Sequence, residues 1–249
     1  MSNLLKDKVV VITGSNRGIG KSITEVFAEN GANIIACSRS ISPESKKWMI
    51  SLESKFNISI HTVELDLSDE KSVKDAIKQI FSISKKIDVL VNNAGVASGA
   101  LFQMTPISEL RKIFEINFFS QILFSQGIAK IMIRNKSGSI INLASTAAFI
   151  ADPGTLAYGS SKSAFARATQ SMSNELGIFN IRVNAIAPGV TKTDMFKQMS
   201  SEAIEKLISS SALKRAAEPK DIANVALFLA SDLSSHLTGQ VIRADGGIS

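Results

Sequence analysis

Ser145, Tyr158 and Lys162 carry side chains that can act together on one oxygen atom. Tyr158 is the only tyrosine of the chain, and Lys162 follows it by four positions in "AYGSSKSAF". On a helix that spacing puts both side chains on one face. A free phenol, with a pKa of ~10, holds its proton too tightly for chemistry at neutral pH. A neighbouring ammonium stabilises the phenolate and lowers that value. Tyr158 can then give a proton to the alkoxide left when a hydride reaches a ketone, and take one in the reverse direction. Ser145 precedes it by 13 residues, at the end of an apolar run, and its hydroxyl can donate to the same oxygen. Gly159, Ser160 and Ser161 are read as leaving room for a ligand against the start of the helix.

A hydride needs a carrier, and "TGSNRGIG" (13–20) offers a place for one. Gly14 permits a sharp turn after a strand, Gly18 lets backbone approach a phosphate, and Gly20 lets helix and strand pack closely. The helix that starts there presents free N–H groups and a positive dipole end to a pyrophosphate. Ser15, Asn16, Arg17 and Ile19 fill the same loop. The spacing is G-x-x-x-G-x-G, not the G-x-G-x-x-G of the general dinucleotide fingerprint. At the end of the second strand, "CSRS" (37–40) has no acid to accept a ribose hydroxyl but has Arg39. With Arg17 beside it, two guanidiniums suit a 2′-phosphate, so NADP(H) is expected in preference to NAD(H).

These residues need a scaffold. Apolar, β-rich runs at 9–14, 33–38, 58–65, 87–93, 138–145, 181–188 and 239–244 alternate with helical patterns at 19–30, 43–55, 69–83, 106–134, 157–178 and 219–231. Pro43 and Asp69 mark two helix starts. The alternation predicts an α/β fold: one doubly wound Rossmann domain over 1–249, with about seven parallel strands and helices on both faces. The segment 190–215 fits the pattern least and is read either as a substrate lid or as an ordinary surface helical pair.

Composition narrows the function classes. The net charge of +6 is spread along the chain, which speaks against nucleic acid as a partner. The single cysteine, Cys37, excludes an internal disulfide, and His61 and His236 have no ligand-spaced partner, so no metal site is expected. The cysteine usage fits a reducing, cytoplasmic setting. No apolar run approaches the ~20 residues of a membrane span.

With these motifs in order, the chain resembles the short-chain dehydrogenase/reductase family, single-domain type, and is similar to 3-oxoacyl-ACP reductases in "APGVTKTDM" and "FLASDLSSHLTGQVIRADGG". The resemblance runs over nearly the whole chain. It adds Asp66 after the third strand, "NNAG" (92–95), Asn117 in "EINFFS", and "PGVTKT" (188–193). It implies that Asp66 and Leu67 hold the adenine, and that Asn93, Ala94 and Gly95 border adenosine and ribose. Val190, Thr191 and Thr193 would face the nicotinamide carboxamide. It further implies that Lys162 binds the nicotinamide ribose and that Asn117 holds a water linking Lys162 to solvent. The implied substrate is a 3-oxoacyl thioester of fatty-acid synthesis, brought by an acyl carrier protein or coenzyme A; a small ketone, sugar or cyclic alcohol is the alternative. The implied assembly is a homotetramer through 106–134 and 158–178, although Phe114, Phe118, Phe119 and Phe124 could equally be intrachain core. One departure stands out. Arg134 and Lys136 supply one cationic site for an acidic carrier, but the catalytic helix reads "SNELG" where the second arginine would fall.

Overall fold

A computed structural model describes residues 3–196 and 201–248. Among these, seven parallel strands form one sheet in the order β3-β2-β1-β4-β5-β6-β7. They are β1 (Val9–Thr13), β2 (Asn33–Ser38), β3 (Ile60–Glu64), β4 (Val89–Asn92), β5 (Gly138–Leu143), β6 (Ile181–Pro188) and β7 (Val241–Ala244). The helices between them are α1 (Gly18–Glu29), α2 (Pro43–Phe56), α3 (Glu70–Ile83), α4 (Ile107–Phe114), α5 (Ser120–Asn135), α6 (Leu156–Leu176), α7 (Ser201–Ser210) and α8 (Pro219–Ala230). The expected doubly wound sheet is therefore met, and its order reverses between β1 and β4, where open α/β sheets bind ligands.

The strands read as unbroken apolar runs because both faces are covered. Val10, Ile12, Ile34, Ala36, Val89 and Val91 pack under α1, α2 and α8. Their neighbours Val11, Ile35, Cys37 and Leu90 turn to the other face, against Ile80 of α3 and Phe124 and Ile128 of α5. Each fully buried Ile, Leu or Phe contributes about 1.5–3 kcal/mol relative to exposure. Helix starts follow local chemistry. Pro43 takes the first turn of α2 while Ser42 accepts from Ser45 N at 3.2 Å. Asp69 caps α3, as expected, by accepting from Lys71 N at 2.9 Å.

Two expectations change. The long helix is not uniform: a π-helical turn, Glu115–Phe119, separates α4 from α5. The whole stretch Ile107–Asn135 is long and apolar enough to cross a membrane, against the expectation of no such run, but half of its most apolar window is buried inside the fold. Of the four phenylalanines, Phe124 is core, whereas Phe114, Phe118 and Phe119 form an aromatic cluster, Phe118 edge-to-face with each of the other two, in which Phe119 is exposed. The segment 190–215 contains one helix among its described residues, α7, and bridges tie Thr191 to Ala217 and Ser211 to Ile248. Residues 197–200 of the expected lid lie outside the described residues.

Candidate active site

The site begins at the turn after β1. Gly14 and Gly18 adopt positive φ, +66° and +53°, a region closed to most side chains. A Cβ at Gly20 would run into the Gly14 carbonyl and the Asn93 amide. Arg17 is the N-cap of α1 but makes no side-chain cap, and no acid stands in the first turn. The helix start therefore keeps its positive end and uncapped N–H groups for an anion, which fits the pyrophosphate of a dinucleotide. Ile19 packs into the core beneath the loop.

Side chains behind the loop fix its shape. Thr13 Oγ1 accepts from Asn93 N and Ala94 N, both at 3.0 Å, joining the ends of β1 and β4. Asn93 Nδ2 donates to the carbonyls of Thr13 (2.9 Å) and Gly14 (3.2 Å). The amide of Asn93 thus braces the glycine turn. On the other flank, Ser15 Oγ donates to Cys37 O at 3.2 Å and Asn16 Nδ2 to Ser40 O at 3.3 Å. This brings the glycine loop against "CSRS". Arg39 is exposed at that corner. Asp66 lies close by: its carboxyl is held below the usual range mainly by the Ser68 hydroxyl and N–H, with a smaller contribution from Arg39. Leu67 is buried beside it. Gly20→Ala is expected to weaken dinucleotide binding between about fivefold and a hundredfold, the effect of forcing one methyl into a filled space. Fluorescence titration with NADPH and NADH, with a thermal melt to monitor folding, checks this.

The reacting groups gather at the carboxyl ends of β4 and β5. Ser145 is extended two residues past β5, and its Oγ accepts from Ala147 N at 3.2 Å. It hydrogen-bonds Tyr158, which pulls the phenol pKa down, but burial acts more strongly and raises it. Lys162 is buried and donates to Leu143 O at 2.6 Å, with its Nζ 5.9 Å from the Tyr158 ring centroid. Burial pushes its ammonium down to about 8. The expected lowering of Tyr158 by Lys162 is therefore not found among the protein's own groups; desolvation sets both values. Gly95 completes the cluster, since a Cβ there would stand 3.1 Å from Asn117 Oδ1 and 3.5 Å from Lys162 Nζ.

Asn117 sits on the π-helical turn, fully buried. π-helical turns recur at functional sites because they re-aim side chains within a helix. Asn117 accepts from Val96 N at 2.9 Å and donates to Val96 O at 2.8 Å and Ser161 Oγ at 3.2 Å. Its side chain clamps the segment after β4 to α6. Three supporting roles escaped the sequence reading. Ser161 joins Asn117 to the Tyr158 carbonyl, Thr13 joins β1 to β4, and Gln121 donates to Ala94 O. Gln121 lies four residues after Asn117, a spacing that could have revealed it. A correction concerns the small residues of α6. A Cβ at Gly159 would stand 2.7 Å from Ala147 O, and Ser161 is buried. They let α6 approach the turn after β5, and only Ser160 is exposed.

The stretch after β6 closes the site from above. Lys192 N donates to Ala217 O and Ala217 N to Val190 O, holding Thr191 in place. Thr193 Cγ2 would meet a Cβ on Gly18 at 3.3 Å, so this stretch reaches the glycine loop. Arg17 and Asp194 stand 3.9 Å apart across the gap.

A family model described as enoyl-(acyl carrier protein) reductase matches residues 14–249. The 3-oxoacyl-[acyl-carrier-protein] reductase FabG of Aquifex aeolicus is 34% identical over 244 residues, 98% of each chain. The 3alpha-hydroxysteroid dehydrogenase of Mediterraneibacter gnavus is 37% identical over 246 residues, 99% of this chain and 98% of that one. Among solved structures, a 7 alpha-hydroxysteroid dehydrogenase complexed with NADH and 7-oxo glycochenodeoxycholic acid superposes with a TM-score of 0.92 at 33% identity, covering 99% of this chain and 96% of that one.

Proposed function

The chain belongs to the short-chain dehydrogenase/reductase family, and from that premise we propose that it reduces the keto group of a 3-oxoacyl thioester with NADPH, Tyr158 giving the proton. The observation that carries this reading is the meeting of Ser145, Tyr158 and Lys162 beside Gly95, at the sheet edge where the strand order reverses. The nicotinamide, when bound, supplies the hydride. The protein's part is to position and to move a proton. Ser145 donates to the carbonyl oxygen and polarises it, and Tyr158 delivers its proton to the same oxygen as charge grows there. Lys162, charged below about pH 8, stabilises the phenolate that remains and holds the nicotinamide ribose. Asn117, which holds the segment after β4 against α6 beside Lys162, in this reading places a water that links Lys162 to solvent for reprotonation. Val190, Thr191 and Thr193 take the carboxamide end, and Asp66 and Leu67 the adenine.

NADPH rather than NADH is read from Arg39, at the corner where Asn16 meets Ser40, and from the missing acid at Ser38, whose hydroxyl donates to Ser40 O at 3.0 Å; Arg17, expected beside Arg39, stands instead 3.9 Å from Asp194. A charge-assisted pair of hydrogen bonds to the 2′-phosphate corresponds to roughly 1.5–3 kcal/mol, or about ten- to a hundredfold in affinity. Arg39→Asp is expected to narrow or reverse that preference. Equal Kd values for both dinucleotides on the unmodified protein would contradict it.

Carrier docking at the mouth gains no support from Arg134 and Lys136. They lie at the end of α5 that leads into β5, the sheet edge opposite Tyr158, and Arg134 lies over the Phe81 ring at 5.6 Å. The exposed face around Phe114, Phe118 and Phe119 fits self-association into the homotetramer, and the fully buried Cys37, its thiol pushed up by burial, suits a cytoplasmic protein. The direct test is NADPH oxidation against a ketone panel that includes acetoacetyl and longer 3-oxoacyl thioesters. Oxidation with at least one member is expected; none with any member would overturn the reading.

A further inference from the structure

The segment that follows β4 is anchored on two sides. Thr13 Oγ1 of β1 accepts from Ala94 N at 3.0 Å, and the Asn117 amide holds both the N–H and the carbonyl of Val96. Between these anchors the Ala94 carbonyl accepts from Gln121 Nε2. Gln121 lies in the first turn of α5 and is buried. Its amide is only half used: Gln121 Oε1 has no hydrogen-bonding partner among the described residues. The one other buried side-chain atom in that position is Asn92 Oδ1, at the end of β4 and two residues before Ala94. Leaving a buried amide oxygen unpaired has a cost that an apolar side chain of similar shape avoids. Both unpaired oxygens flank one short segment, which marks 92–96 as a place where stability is given up for position.

The carbonyl that Gln121 holds belongs to the Ala94–Gly95 peptide. That unit is planar and trans, so turning its oxygen towards α5 turns the Gly95 N–H the other way. A Cβ on Gly95 would stand 3.5 Å from Lys162 Nζ, so a tilt of this peptide changes the space beside the ammonium. We infer that Gln121 is a positioning residue for the dinucleotide: through Ala94 O it sets the plane of the Ala94–Gly95 peptide, and with it the gap between Gly95 and Lys162. Asn117 alone holds Val96 but leaves that plane free to turn. The inference rests on the reading that places Gly95 and Lys162 against the ribose groups of the cofactor, and it adds a residue that acts from behind them.

Two substitutions test it. Gln121→Met keeps the length of the side chain and removes the donor. Gln121→Glu keeps the shape and donates to Ala94 O only while its carboxyl is protonated. Burial raises the pKa of such a carboxyl. Lys162 of α6, beyond Gly95, opposes this, whereas Tyr158 beside it is neutral. Asp88, the other buried charged side chain among the described residues, precedes β4 at its far end. Glu115 of the π-helical turn and the charged side chains of α3 and α5 are exposed. NADPH affinity is measured by fluorescence titration from pH 6 to pH 9, each value relative to the native protein at the same pH, with thermal melts beside it. Gln121→Met is expected to bind about five- to thirtyfold more weakly at every pH, the effect of one lost hydrogen bond to a buried carbonyl, with its KM for a ketone near the native value. Gln121→Glu should recover most of the affinity at pH 6 and lose it as the pH rises. The inference is overturned if Gln121→Met melts lower but binds NADPH as the native protein does, or if the relative affinity of Gln121→Glu does not change with pH; the second variant decides alone should the first not fold. Failure of the reductase reading looks different: no ketone is reduced, yet the affinity of Gln121→Glu for NADPH still follows the pH.

Discussion

Tyr158→Phe retains the fold and the dinucleotide affinity and loses about 10²–10⁴-fold in turnover, the usual yield of a positioned proton donor. The substitution removes one oxygen and keeps the ring, so α6 should stand as before. What disappears is the hydroxyl that Ser145 hydrogen-bonds. The chain has no second tyrosine to replace it. Steady-state kcat on a confirmed ketone, with NADPH Kd and melting temperature as controls, checks this. A normal rate in Tyr158→Phe would remove the proton donor from the account.

Lys162→Met has the second largest effect, and it divides into an activity loss and a stability gain. Turnover falls by a factor comparable to that of Tyr158→Phe, because the cation proposed to support the phenolate is gone, and on the proposed ribose contact NADPH binds more weakly. Stability moves the other way. Folding lowers the Lys162 pKa from its ordinary 10.5 to about 8, so the unfolded chain binds this proton more tightly than the folded one. Below about pH 8 the folded state therefore carries a constant penalty for holding a buried charge. The penalty fades as pH rises from about 8 towards 10.5, so this group makes the native protein more stable with rising pH in that window. Lys162→Met lacks the penalty. It should be more stable at pH 7 by about 1–3 kcal/mol, with the difference shrinking above pH 8. In the native enzyme the reductive rate should fall as pH rises through about 8. Denaturant melts of both proteins at pH 7, 8 and 10, with a pH–rate profile, read both effects; a difference independent of pH would contradict the assignment of the buried charge.

Much of this site lay open in the sequence because it depends on local rules. Gly14 announces a sharp turn, which it makes with positive φ, and Gly20 the close packing of helix and strand, where a Cβ would meet the Gly14 carbonyl. Asp69 reads as a cap and acts as one. The unbroken apolar runs of β1, β2 and β4 told of a sheet covered on both faces, as the alternation of Val10 and Val11 between its two cores now displays. The rest depends on packing between distant segments. The π-helical turn at Asn117 falls in a nearly continuous apolar stretch, "IFEINFFSQILF" (113–124), where a shift of helical phase leaves no visible break in the pattern. Gly159 and Ser161 look like open space in sequence and turn out to be filled by the Ala147 carbonyl and the Asn117 amide. The depressed Lys162 pKa comes from its burial between α6 and the end of β5, where it donates to Leu143 O, and no spacing encodes that desolvation. Pairing a tyrosine with a lysine four residues on suggested a Tyr158 pKa lowered by charge; burial instead raises it and lowers that of Lys162.

The central claim is that the protein passes a hydride from a reduced nicotinamide to a carbonyl carbon while Tyr158 protonates the oxygen. NADPH bearing deuterium at the transferable position of its ring, mixed with a 3-oxoacyl thioester and the protein, tests it in one mass spectrum of the product. The account predicts one deuterium on the new carbinol carbon with the native chain, and product slowed by about 10²–10⁴-fold with Tyr158→Phe. Alcohol formed without deuterium at that carbon, or formed equally fast by Tyr158→Phe, would contradict it.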